Sequence, residues 1–120
     1  MNPNDMQIGG NHYKNQKYEH WDFVSDVTFS DSYLKGCCSK YIVRWRDKNG
    51  IEDLQKALHY LDKIISLNFN TVMVNDSALR KFAEQLNEPE RQIIVDMYML
   101  NYQSARQELK KLISEVSHNG

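Results

Sequence analysis

Lys40, Arg44 and Lys48 recur every four residues in "GCCSKYIVRWRDKNG". On a helix they would share one edge, with Gly36 opening that edge without a side chain. The next segment carries a second row, Asp53, Lys56, Tyr60 and Lys63, while Tyr41 and Arg46 lie beside the first. No acid separates the first-row cations until Asp47, so neighbours would repel rather than pair. Such an edge suits phosphate. Arg grips phosphate oxygens bidentately, Lys supplies point charge, and Tyr or Trp rings can flank a base. The alternative is a solvated face with i,i+4 ion pairs. A mid-helix glycine costs about 0.8–1 kcal/mol against alanine, which suggests close approach by a ligand or another backbone at Gly36.

A second chemical feature lies near the N-terminus, in "GGNHYKNQKYEHW" at residues 9–21, which has no visible periodicity. Gly9 and Gly10 could let backbone N–H groups approach a phosphate. His12 could donate to it, and Tyr13 could flank a base. Loop and cationic edge together suggest one nucleotide-sized site.

The elements that must position these residues are helical. "EHWDFVSDVTFS" offers Trp21, Phe23, Val24, Val27 and Phe29 for a short helix ending before Ser30, and Ser30 or Asp31 then reads as an N-cap. Leu34, Cys37, Cys38, Tyr41, Ile42 and Trp45 form the seam of a helix over residues 31–48. Asn49-Gly50 is a turn signal. Leu54, Ala57, Leu58, Leu61, Ile64 and Ile65 then face one way over residues 51–67, with Glu52 and Asp53 complementing the helix dipole. The two should pack as an antiparallel αα-hairpin, with Leu34, Cys38, Tyr41, Leu54, Leu58 and Leu61 among its core contacts. Val72 to Val74 read as an extended linker, Asn75 to Ser77 as caps for a helix through Leu86, and Pro89 as standing near a further helix start. A last stripe holds Leu109, Leu112, Ile113 and Val116. The expected fold is all-α: residues 1–70 a helical hairpin domain with an N-terminal ligand loop, residues 71–120 a C-terminal helical extension within the same unit or at an oligomer contact. Met97, Tyr98, Met99 and Tyr102 read as core or oligomer contacts.

Composition narrows the function classes. Lys+Arg number 15 against 16 Asp+Glu, so the overall field favours no general nucleic-acid or anionic membrane binding. No apolar run could span a membrane and no signal peptide is visible, so a cytoplasmic protein is expected. The adjacent Cys37 and Cys38 read as buried thiols. No GxxxxGK[ST] loop, βαβ alternation or dinucleotide fingerprint occurs. No metal set is expected: Glu52 and Asp53 point about 100° apart on a helix, and His12, His20 and His59 lack zinc spacing with the cysteines.

"GGNHY", "YEHWDFV" and "GCCSKYIVRWRDKNGIEDLQKALHYLDKI" together resemble a small bacteriophage family, long known only as a domain of unknown function and described as nucleotide kinase-like after a coliphage nucleoside monophosphate kinase. The family pattern falls on Gly10, His12, Tyr13, Lys40, Tyr41, Arg44, Lys48, Gly50, Asp53, Leu54, Lys56, Ala57, Tyr60 and Leu61. The resemblance implies phosphoryl transfer from a nucleoside triphosphate donor to a nucleoside monophosphate, with His12, Lys40 and Arg44 as catalytic candidates. Gly9, Gly10, Asn11, Tyr13, Tyr41, Lys48, Asp53 and Lys56 complete the nucleotide contacts. Asp53 either holds Lys56 or Arg44 or serves as a helix N-terminal acid. This chain departs from the pattern before its Lys-Tyr element, where the family commonly has Gly-Asn and here Gly36 is followed by Cys37-Cys38-Ser39, and at Lys17-Tyr18, where the family has proline. Two other readings stand beside turnover: sequestering a nucleotide, including a host defence signal, or inhibiting a host protein through the C-terminal helices. A homo-oligomer could supply the missing walls of the site.

Overall fold

A computed structural model describes residues 18–119, and every regular element among them is helical: α1 His20–Ser25, α2 Ser30–Arg44, α3 Ile51–Leu67, α4 Asp76–Glu84, α5 Glu90–Tyr98 and α6 Tyr102–Asn119. The α2 and α3 seams meet as expected. Cys38 Sγ lies 3.3 Å from the Ala57 carbonyl, and nearer the turn Arg44 meets Asp53, so the two helices run antiparallel. Leu34, Cys38, Ile42, Leu54, Leu61 and Ile64 are buried at this seam. The same buried cluster includes Ile93, Ile94 and Met97 of α5 and Ala105, Leu109 and Leu112 of α6. One core therefore joins the hairpin to the C-terminal helices.

Three seam assignments shift. Leu58 and Tyr41 are half-buried at the core margin. Cys37 is partly exposed while Cys38 is fully buried. Adjacent helical residues point about 100° apart, so only one of the two thiols can face α3. Met97 is core, whereas Met99 is exposed.

The start and end of α2 differ from expectation for tertiary reasons. Ser30 and Asp31 lie inside the first turn, and Phe29 holds the N-cap position in a left-handed conformation (φ 68°). Asp31 spends its carboxylate on Lys35, one turn on, at 2.7 Å. At the other end the helix stops at Arg44 and residues 45–50 form a turn, closed by Gly50 N–H donating to Trp45 O at 2.9 Å. Trp45 is buried, and Arg46 leaves the helix to grip Glu90 with Nε at 2.9 Å and Nη2 at 3.3 Å. Gly50 has φ 60° and ψ −132°, a conformation that side-chain-bearing residues rarely adopt.

The later helices follow their caps. Asn75 Oδ1 accepts from Ala78 N–H at 3.1 Å to start α4, which ends at Glu84 rather than Leu86. Arg91 donates to the Ala83 and Leu86 carbonyls at 2.9 and 2.6 Å, tying the start of α5 to the end of α4 and the loop after it. Pro89 is the N-cap of α5. Between α3 and α6, Arg106 Nε donates to Asp62 at 2.7 Å. In α1, Val24 packs against the core, but Phe23, Val27 and Phe29 are exposed, so the apolar set of that segment is only partly buried.

Candidate functional site

Tyr41 stands on α2 at the margin of the hairpin, and three cations converge on its ring. Arg44 Cζ lies 4.7 Å from the ring centre, Lys40 Nζ 4.8 Å and Lys56 Nζ 5.6 Å. All three fall within the range of cation–π attraction. Lys40 and Arg44 arrive from one residue before and three after Tyr41 on α2, while Lys56 crosses from the second turn of α3. The expected cationic edge therefore exists, gathered about one aromatic ring.

Its cations are nevertheless partly paired, contrary to the expectation of uncompensated repulsion. Arg44 places Nη2 3.2 Å from Asp53 Oδ1 and Nε 3.3 Å from Oδ2. Asp53 is fully buried and also accepts from the Asn49 backbone N–H at 3.1 Å. Burial alone would raise the Asp53 pKa, but the hydrogen bonds from Arg44 and Asn49 and the guanidinium charge outweigh it and hold the carboxyl below its ordinary range. Of the sequence alternatives for Asp53, holding Arg44 is realised, and Asp53 also stands as an acid in the first turn of α3. Lys56 turns instead to Glu52 at 3.4 Å, a pair whose acid is well exposed. Three cations against these two carboxylates leave one excess positive charge at the Tyr41 ring.

An aromatic column extends the site towards α1. Tyr60 stacks on Tyr41 with ring centres 5.9 Å apart, Trp21 tilts against Tyr60 at 5.3 Å, and His59 stacks on Trp21 at 5.0 Å. Lys63 Nζ sits 5.6 Å from the Trp21 ring and 4.0 Å from Asp22. Burial, then the charge of Lys63, lower the His59 pKa, while Asp62 opposes them. Burial, followed by the neighbouring Cys37, Tyr41 and Tyr33, raises that of Tyr60. Trp21 Nε1 and His59 Nδ1 are buried without a hydrogen-bond partner among the described residues.

Lys40, Tyr41, Arg44, Asp53 and Lys56 are thus brought together. Lys48 is not: it is exposed in the turn after α2, because the helix ends one turn earlier than its spacing suggests. Gly9, Gly10, Asn11, His12 and Tyr13 lie outside the described residues. Gly36 is exposed, and an added Cβ would meet nothing within 4 Å, so no close approach by the backbone of a described residue explains the glycine. Sequence reasoning missed Trp21 and His59. His59 carries the signal of lying next to Tyr60 and three residues beyond Lys56; Trp21, on a six-residue helix, carries none. Among the described residues no group of three or more His, Cys, Asp or Glu side chains is placed to hold a metal ion, and no helix is long and apolar enough to cross a membrane.

No curated protein and no solved structure matches the chain. A family model described as a protein of unknown function, DUF3310, matches residues 8–62, so the chain is similar to that family over a stretch that contains every residue of the Tyr41 cluster.

Proposed function

We propose that the Tyr41 face binds the phosphate groups of a nucleotide, and that the chain transfers a phosphoryl group between nucleotides as nucleoside monophosphate kinases do. The convergence of Lys40, Arg44 and Lys56 on one ring, with one excess positive charge, carries this reading. Arg44 commits Nε and Nη2 to Asp53, and Nη1 makes no hydrogen bond to a described residue. A guanidinium held from behind presents its remaining donors in a fixed plane, which suits a phosphate. Lys40 and Lys56 are flexible point charges that follow the charge as it moves.

In the transfer, an acceptor phosphate oxygen forms a bond to the donor's γ-phosphorus while the bond to the β-phosphate bridging oxygen breaks. Two nucleoside diphosphates leave. Positioning and charge neutralisation supply most of such catalysis. Binding without turnover is the second reading, favoured by Asp53 and Glu52 both being engaged by cations of the cluster itself. Calorimetry over a panel of nucleoside mono- and triphosphates, followed by product chromatography, tests both. Heat with diphosphate products supports transfer, heat without products supports sequestration, and no heat with any nucleotide contradicts the site.

A further inference from the structure

A pocket opens at the other end of α2 and owes nothing to the Tyr41 face: Asp31 and Tyr41 are ten residues apart, about 15 Å along a helix. Behind its wall Lys35 is fully buried, an uncommon place for an ammonium. Lys35 Nζ lies 2.7 Å from Asp31 Oδ1 and 5.2 and 5.8 Å from the ring centres of Tyr102 and Phe69. Asp31 is about nine-tenths buried and faces a pocket of about 350 Å³. Asp31 is one of the lining residues and its Oδ1 has almost no accessible surface, so the carboxylate surface that reaches the pocket belongs to Oδ2. Phe29, Phe69 and Met73 line the pocket with apolar surface, and Asn68, Asn70 and Thr71 add amide and hydroxyl groups.

We propose that this pocket binds a flat, uncharged heteroaromatic ring whose amino or ring N–H edge donates to Asp31. Charge decides against the other classes. Among the described residues no cation lines the pocket to hold an anion, since Lys35 lies behind the wall and is committed to Asp31. A cationic ligand gains little, because the Asp31 charge is already met at 2.7 Å. What remains is a carboxylate in a lining shared with the Phe29 and Phe69 rings, which selects a neutral donor on a planar body. The volume falls in the range of small-molecule sites, about 300–1,000 Å³. Phe29 and Met73, 72% and 45% exposed, are the walls that a bound ring would cover.

Adenosine serves as probe, with its dimethylamino analogue, which lacks the donor edge, as control. Amide correlation spectra of the full chain follow each titration. Adenosine should shift the amides of Asp31, Asn68, Asn70 and Thr71 saturably, and the analogue should bind at least about tenfold more weakly. Thr71→Trp, a substitution at an exposed position that fills the pocket, should weaken adenosine by a similar factor and leave the Tyr41 region unchanged. Asp31→Asn should do the same. Should it fail to fold because Lys35 loses its partner, the Asp31→Asn, Lys35→Met pair replaces it. Absence of saturable shifts at these amides, equal binding of the analogue, or indifference to Thr71→Trp overturns the proposal. Because adenosine carries no phosphate and the readout is local, the outcome is independent of nucleotide binding at Tyr41.

Discussion

Arg44 and Asp53 are joined through two nitrogens and two oxygens, at 3.2 and 3.3 Å, across the closed end of the α2–α3 hairpin. The carboxylate is fully buried and the guanidinium 34% exposed at its side chain. Removing the exposed partner strands the buried one. Arg44→Ala should therefore destabilise the fold by about 3 kcal/mol, the lower end for broken buried pairs because Arg44 is partly solvated. Urea unfolding checks this; a loss within about 0.5 kcal/mol, ordinary for a surface charge, would show that Asp53 does not depend on Arg44.

The same pair sets an acid limit. Asp53 has its pKa lowered in the fold, because the bonds from Arg44 and Asn49 outweigh burial. Its contribution is thus present above the unfolded carboxyl value of about 3.9 and is lost as pH falls through the lower folded value. The unfolding midpoint should decline below about pH 4, and Asp53→Asn should flatten that decline from a lower starting stability. Identical slopes for both proteins would remove Asp53 as the cause.

His59 acts in a milder window. Its pKa is lowered chiefly by burial, so the folded state favours the neutral ring. Stability is full above the unfolded value of about 6.5 and falls as acidification protonates the unfolded chain first. As pH falls below about 6.5 the wild type should lose stability and His59→Gln should lose less. The Trp21 stack should loosen in step, reported by tryptophan fluorescence.

The two cysteines should react very differently. Cys38 is fully buried and burial pushes its thiol up, whereas Cys37 is partly exposed near Tyr33 and Tyr60. A disulfide reagent should titrate one thiol in the native protein. Cys38 should lag by at least about a thousandfold if it reacts through global unfolding. Two thiols reacting at similar rates would contradict the seam.

The hairpin was legible because two apolar stripes and Asn49-Gly50 are local signals. The stop of α2 at Arg44 was not, since it depends on Asp53 bonding Asn49 and on Arg46 reaching Glu90, far along the chain. Likewise the sequence marks Lys40, Arg44 and Lys56 as cations near Tyr41 and offers Asp53 as a partner for Lys56 or Arg44 alike; the choice of Arg44, nine residues back, is made by the packing of the turn. Asp31 and Lys35 have ordinary i,i+4 spacing; their burial comes from Phe69 and Tyr102, which periodicity does not place beside them. Trp21 joins the aromatic column through a helix too short to show a period.

The central claim is that the cations around Tyr41 hold phosphate, and the dissociation constant of the best-bound nucleotide in Lys56→Ala tests it most directly. Among the described residues Lys56 makes an ion pair with the exposed Glu52 and a long contact to the Tyr41 ring at 5.6 Å, so its loss should cost no more than about 1 kcal/mol of stability. Lys111→Ala, an exposed position on α6, controls for net charge. Lys56→Ala should weaken binding by about tenfold to a hundredfold, the worth of a charge-assisted hydrogen bond, while Lys111→Ala changes it little. Equal dissociation constants for both variants and the wild type would contradict the site.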